Sequence, residues 1–254
     1  MKIRALFISD THFGCKHTNF QELGQLIKSI KTPPEYLYLV GDIVDGWRLR
    51  RNWHWKDEYN QILKKFLTWS KKGTKIIWIT GNHDEFLRDF AENFGSIEVA
   101  NEWHHTTKNG RQILVIHGDR FDCLMKCGNL LKFFGSFGYE KLILVNRMLN
   151  GLLRFFGVRT SWSLSKYIKS SIKQVSIHVA NFETLLTEYA KEKECSGVVC
   201  GHIHIPKSSK VNGVDYFNCG DWQENTTYII EDNKGNIKLH EYQSKETHPN
   251  SNST

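Results

Sequence analysis

The sequence predicts an α/β protein, because short apolar runs alternate with helical stretches and several of the runs stop abruptly at carboxylates and imidazoles. Five runs have this form: "RALFISD", "YLYLVGD", "KIIWITGN", "QILVIHGD" and "GVVCGH". Each is short and rich in β-branched and aromatic residues, which marks a largely buried strand. Between the first two, "NFQELGQLIKSI" puts Phe20, Leu23, Ile27 and Ile30 near one helical face. Between the second and third, "DEYNQILKKFLTWSKKG" repeats that period and stops at Gly73. Further on, "TYIIEDNKGNIKLHEY" alternates with period two on either side of Asn233-Lys234-Gly235, a hairpin signal. Residues 244–254 are polar and read as a disordered tail after a single domain spanning 1–243.

The stretch from about Cys123 to Glu194 breaks this rhythm. It is helical in period, aromatic and basic, and none of it ends in a polar cluster, so it reads as a helical cap inserted into the α/β domain. Between Lys126 and Lys173 nine Lys or Arg face one acid, Glu140, and this block accounts for the chain's net charge of +7. Such a block suits an anionic headgroup, a nucleic acid backbone or a phosphorylated substrate. Arg147 and Arg154 interrupt its most apolar part, which excludes a membrane-crossing helix but leaves surface attachment open. Met1 to Ile8 is too short an apolar run for an export signal, so a cytosolic protein is expected. The six cysteines form no CxxC pair, and in that compartment they read as reduced thiols.

The strand ends carry the chemistry. They read "DTH" (Asp10, His12), "GDIVD" (Asp42, Asp45), "GNHD" (Asn82, His83, Asp84), "HGD" (His117, Asp119) and "GHIH" (His202, His204). One such cluster alone is an ordinary turn. In open α/β sheets, however, ligands bind at the carboxyl ends of the strands, so all five would converge. Two carboxylates, Asp10 and Asp42, offset only half the charge of two divalent ions, and the excess would bind hydroxide and phosphate.

In this order, D-x-H, GDxxD, GNHD, H and GHxH, the motifs resemble the calcineurin-like metallophosphoesterase superfamily, from Asp10 to His204 on both sides of the insertion. The resemblance implies an αββα sandwich of two mixed sheets flanked by helices, with the helical cap inserted at about 123–194. It implies that Asp10, His12 and His204 hold one metal ion, that Asn82, His117 and His202 hold another, and that Asp42 bridges the two. Such a pair activates water and clamps phosphoryl oxygens. Oxygen and imidazole donors suit Mn²⁺, which the resemblance favours, with Fe²⁺ or Zn²⁺ as alternatives. His83 takes the position of the family's histidine facing the scissile phosphate, and Asp45 would orient it.

Within the superfamily, "GDIVDGW" lacks the Arg-Gly of protein phosphatases. The "FISDTHFG" opening, the "HGD" before a helical insertion and the late "GHIH" are most similar to UDP-2,3-diacylglucosamine pyrophosphatases of lipid A synthesis. That resemblance implies a UDP-linked acylated glucosamine as substrate, hydrolysed to UMP and 2,3-diacylglucosamine 1-phosphate at the inner face of the cytoplasmic membrane. Many members have Asn-Arg-Asp where this chain has Asn82-His83-Asp84, and Arg88 is the candidate replacement for the missing cation. Asp122, Lys166, Lys169 and Lys173 are further candidates for substrate contact. The Leu- and Phe-rich insertion would bury acyl chains or simply pack as a cap. The alternatives are a nuclease or nucleotide phosphodiesterase of the same superfamily, and a non-catalytic scaffold docking on membranes through metal. The absence of a base-stacking motif disfavours nucleic acid. The sequence leaves the oligomeric state open.

Overall fold

The computed structural model describes residues 2–90, 92–121 and 164–243, side chains excepted at 90, 92–94 and 164–176. The chain divides into two compact units, Met1–Asp119 with Leu186–Thr254, and Arg120–Leu185. The first contains two mixed sheets. One has the order β12-β11-β1-β2-β3-β5-β4, from β1 (Ile3–Ile8), β2 (Tyr36–Val40), β3 (Lys75–Ile79), β4 (Glu92–Phe94), β5 (Ile97–Ala100), β11 (Thr227–Asp232) and β12 (Ile237–Glu241). The other has the order β6-β7-β8-β10-β9, from β6 (Glu102–Thr106), β7 (Gln112–Ile116), β8 (Gly197–Cys200), β9 (Lys207–Val211) and β10 (Val214–Asn218).

The five apolar runs are β1, β2, β3, β7 and β8. The first three lie parallel and adjacent, as do the last two. Their side chains alternate between two cores. Ala5, Phe7, Tyr38, Val40, Ile77 and Ile79 pack with Ile113, Val115, Val199 and Phe217 from the other sheet. Leu6, Ile8, Leu37, Leu39, Ile76 and Trp78 pack instead with two helices on the outer face of the first sheet. A strand buried on both sides must be apolar throughout, which is why these runs stand out in the sequence.

The outer helices are α1 (Phe20–Ser29) and α3 (Asp57–Lys71), with a one-and-a-half-turn α2 (Gly46–Arg51) before α3. In α3, Tyr59, Ile62, Phe66 and Trp69 form the buried stripe and Asp57 and Glu58 occupy the first turn, where the helix dipole favours acids. It ends as expected at Gly73, whose φ of 98° lets its N–H reach Ser70 O at 2.9 Å and that of Thr74 reach Trp69 O at 3.0 Å. The predicted hairpin is β11–β12, antiparallel as expected.

The last helix, α4 (Leu164–Glu192), covers the C-terminal part of the expected insertion. From Leu186 onward it groups with the sheets. The reason is local: Glu102 at the start of β6 accepts from Tyr189 Oη at 2.8 Å and pairs with Lys193 at 2.9 Å. Most of the rest of the insertion, including Asp122, and the predicted tail lie outside the described residues, as do the side chains of Lys166, Lys169 and Lys173. Among the described residues no helix is long and apolar enough to cross a membrane.

Candidate metal centre

The polar ends of the five strands do converge, and backbone hydrogen bonds hold the loops that follow them in register. The β1 loop keeps pairing with the β2 loop: Asp10 N donates to Gly41 O at 3.1 Å, His12 N to Asp42 O at 2.9 Å and Phe13 N to Ile43 O at 2.8 Å. The β8 loop joins through Gly201 N to His117 O at 3.1 Å, and the loop after β10 joins through Trp222 N to Asp10 O at 3.2 Å. Gly201 tolerates no side chain, since a Cβ there would run into Ser9 Oγ and the Asp10 carboxylate.

Three sets of donors result. Asp10 Oδ1 lies 3.1 Å from His204 Nε2 and 3.7 Å from His12 Nε2. Asp42 Oδ2 lies 3.3 Å from His117 Nε2, and His202 completes that cluster. Asp42 Oδ2 is also 3.9 Å from His12 Nε2, so this carboxylate stands between the first two sets. The third set consists of His12, Asp42 and His83. Asp10 and His117 have no solvent exposure, and the cleft of about 240 Å³ above them is lined by His12, Asp42, Asp45, Asn82, His202 and His204 among others.

Other hydrogen bonds aim these donors. His117 Nδ1 donates to Val40 O at 2.9 Å, which leaves Nε2 for the cleft. Asp10 Oδ2 accepts from Ser9 Oγ and from His202 N at 3.0 Å, which leaves Oδ1. Asp42 Oδ1 accepts from His83 N at 2.8 Å, which leaves Oδ2. Among the described residues, Asp10 Oδ1, Asn82 Oδ1 and His117 Nε2 are buried without a hydrogen-bond partner. Orphaned atoms of this kind are costly, and a cation is the one partner that satisfies carboxylate, amide and imidazole lone pairs together. The donor set therefore fits divalent metal ions with oxygen and nitrogen ligands.

Electrostatics agree with the geometry. Burial would lower the pKa of His12, but the Asp10 and Asp45 carboxylates, each 3.7 Å from a ring nitrogen, override it and push the imidazole up to about 10. Burial opposes His117 likewise, and the Asp42 carboxylate pushes it up to about 10. In return, Asp10 is held well below the usual carboxylate range by His12 and His204 despite its burial, and Asp42 is lowered by His117. The site is thus a well of negative potential in which protons occupy positions a metal ion can take.

His83 and Asp45 are brought together. His83 Nδ1 lies 3.0 Å from Asp45 Oδ1, the Trp47 ring covers the imidazole with centroids 4.3 Å apart, and both His83 and Asp45 line the cleft. Asp45 also caps α2, accepting Arg48 N at 3.0 Å. Arg88, the candidate phosphate contact, pairs through Nη2 with Asp119 at 2.9 Å and donates from Nε to Thr80 at 3.2 Å. Asp84 is buried beneath the site, accepting from Ile43 N at 2.9 Å and Trp78 Nε1 at 3.0 Å. Burial and the nearby Asp42 charge raise its pKa.

One contributor escaped the sequence reading. Asp221 lies 3.6 Å from His204 Nδ1 and accepts three backbone N–H groups, from Gln223, Glu224 and Asn225. The signal was present, since "VDYFNCGD" is a sixth apolar run that ends in Gly-Asp.

The model of the family described as "Calcineurin-like phosphoesterase" matches residues 3–206. Among curated proteins, the UDP-2,3-diacylglucosamine hydrolase of Porphyromonas gingivalis is 24% identical over 139 residues, covering 50% of this chain and 53% of that one. The chain thus spans about half the length of that relative. The UDP-2,3-diacylglucosamine hydrolase of Psychromonas ingrahamii is 21% identical over 255 residues, covering 93% and 97%. Among solved structures, a novel archaeal phosphodiesterase is 14% identical with a TM-score of 0.45, covering 93% of this chain and 98% of that one. Yfce, a phosphoesterase from E. coli, is 12% identical with a TM-score of 0.44, covering 94% and 99%.

Proposed function

The chain belongs to the calcineurin-like phosphoesterase family, and from that premise we propose that it hydrolyses a diphosphate bond with two divalent metal ions, Mn²⁺ by preference. The proposed substrate is a UDP-linked acylated glucosamine. The observation that carries the metal reading is the set of orphaned atoms, Asp10 Oδ1, Asn82 Oδ1 and His117 Nε2, buried around Asp42. In this reading Asp10, His12 and His204 hold one ion, Asn82, His117 and His202 hold the other, and Asp42 serves both. When bound, the ions supply Lewis-acid polarisation of the phosphoryl oxygens and a water of lowered pKa.

The protein's own groups do the rest. Asp45 accepts from His83 Nδ1 at 3.0 Å and Trp47 backs the ring, so in its protonated form His83 has one donor left, Nε2, to hand a proton to the departing oxygen. Water adds at the α-phosphorus, the bond from that phosphorus to the bridging oxygen breaks, and UMP leaves with 2,3-diacylglucosamine 1-phosphate. The names of the two relatives support this substrate.

An acylated substrate lies in a bilayer, so the reading places the enzyme at the cytoplasmic membrane surface. The basic block between Lys126 and Lys173 supports this, and so does the tip of α2, where Trp53 is 73% exposed next to Arg50 and Arg51. The protein is expected to sediment with phosphatidylglycerol vesicles at low salt and to leave them at high salt. Sedimentation indifferent to lipid charge would remove the attachment.

The deciding assay supplies Mn²⁺ and UDP-2,3-diacylglucosamine and follows UMP. Release by the intact protein, abolished in Asp42→Ala and reduced about a hundredfold or more in His83→Ala with metal content retained, is the expected result. No release under those conditions would move the substrate elsewhere.

A further inference from the structure

A diphosphate substrate brings at least two negative charges, and the metal donors address only the phosphoryl group under attack. Among the described residues lining the cleft, Arg48 is the one Lys or Arg. Arg88, the cation expected there from the sequence, contacts Asp119 and Thr80 and does not line this cleft. Arg48 is held by its stem: its backbone N–H caps on Asp45 Oδ1 at 3.0 Å, and its Nε meets Asp45 Oδ2 at 3.4 Å. Among the described residues its two terminal Nη groups make no hydrogen bond or ion pair, and the side chain is 60% exposed at the mouth of the cleft.

The decisive point is which carboxylate holds it. Asp45 binds both Arg48 and His83, so the guanidinium stands beside the imidazole that serves the departing oxygen. We propose that Arg48 is a substrate-binding residue that takes the phosphate of the leaving group and so selects diphosphate-bridged esters over simple phosphodiesters. This rests on the reading of the site as a phosphoester hydrolase.

The chemistry requires a cation at that place. When the bond between the α-phosphorus and the bridging oxygen breaks, its electron pair stays on that oxygen and the leaving phosphate gains negative charge. A guanidinium spanning two of its oxygens offsets that charge as it develops. Arg48 can turn from Asp45 to substrate without leaving that buried carboxylate unpaired, because Asp45 keeps His83 Nδ1 at 3.0 Å and the Arg48 N–H at 3.0 Å. A nitrophenolate leaving group has no phosphate for Arg48 to grip.

The test compares the intact Mn²⁺-loaded protein with Arg48→Ala and Arg48→Lys on UDP-2,3-diacylglucosamine and on bis(p-nitrophenyl) phosphate. The ratio of kcat/KM between the two substrates should fall about ten- to hundredfold in Arg48→Ala, the range of a charge-assisted hydrogen bond, and recover partly in Arg48→Lys. A general loss of folding lowers both rates and leaves the ratio unchanged, and an unchanged ratio overturns the assignment. Calorimetric binding of α,β-methylene-UDP against UMP gives a second reading that needs no turnover. Arg48→Ala should shrink the affinity advantage of the diphosphate analogue by a similar factor. If the intact protein cleaves the model diester and not the UDP-lipid, the lipid reading falls, and the analogue still decides. A diminished advantage then supports Arg48 as the diphosphate contact, and a retained one overturns it.

Discussion

Five of the proposed metal-binding residues, Asp10, His12, Asp42, His202 and His204, have φ between 46° and 71°. For residues with a Cβ this left-handed conformation costs about 1 kcal/mol or more each, and it persists where surrounding structure imposes it. Here the paired loops impose it, and the return is that side chains from three strand ends, β1, β2 and β8, meet at one point. Without a metal ion, His12 and His117 stand as imidazolium against the Asp10 and Asp42 carboxylates. The raised pKa of His12 and His117 means that, in the metal-free protein, their contribution to stability is complete below about pH 6.5 and is lost as pH rises through about 10. At neutral pH, then, Mn²⁺ should expel protons as it binds, and its affinity should weaken as pH falls. Calorimetric titration of Mn²⁺ in buffers of different ionisation enthalpy should reveal at least one proton released per protein. A heat that does not change with buffer would contradict the assignment of these imidazoles as ligands.

At the scale of elements, α2 shows how a short piece of structure serves the site. Six residues cannot sustain a helix alone, and its start depends on Asp45, which also holds His83 and whose pKa is lowered, against its burial, by hydrogen bonds from His12 and His83. Asp45→Asn keeps a capping oxygen for Arg48 N but gives up the carboxylate charge that pairs with the His83 ring. It should therefore lower kcat by about tenfold or more while the urea midpoint changes little, whereas Asp45→Ala should also cost about 1 kcal/mol of stability through the lost cap. Equal kinetics for Asp45→Asn and the parent would remove Asp45 from the reaction. Elements of this kind were hard to read in the sequence for a physical reason. The strands β1, β2, β3, β7 and β8 are covered on both faces and so appear as unbroken apolar runs. By contrast β9, "KSSKV", lies at a sheet edge with no fully buried residue, and β6, "EWHHT", has only His105 buried. Their hairpins were nonetheless signalled, by Asn212-Gly213 with φ of 50° and 83° and by Asn109-Gly110. The candidate metal donors were legible because each ends an apolar run, while Arg48, the proposed diphosphate contact, sits on a polar helix where one more arginine carries no pattern.

For the whole molecule, what joins the two sheets is polar as well as apolar. Arg4 on β1 donates to Glu231 on β11 at 2.7 Å and to the carbonyl of Thr106 on β6 at 3.0 Å. His105 on β6 lies 2.8 Å from Glu231 and, through its other nitrogen, 2.8 Å from Tyr38 Oη on β2. Glu231 and Tyr38 have no solvent exposure and His105 has 1%, so the group is a buried polar network reaching across the sandwich. Its partners are separated by 102 to 227 residues, except Tyr38 and His105 at 67, which put them beyond any local reading of the chain. Breaking one member of a buried pair leaves its partner charged and uncompensated, so Glu231→Gln should cost about 3 kcal/mol at neutral pH. The pH dependence separates this loss from a packing defect. Burial would raise the pKa of Glu231, but hydrogen bonds from His105, Lys108 N and Arg4 override it and hold it below the ordinary value. A lowered folded pKa means that the stabilisation is complete above the unfolded value of about 4.3 and is lost as pH falls through the lower folded value. The gap in urea midpoint between the parent and Glu231→Gln should thus be widest near pH 7 and narrow steadily from about pH 4 downward. A gap constant from pH 7 to pH 3 would mean that Glu231 acts through its shape, and that the contact between the sheets does not depend on its charge.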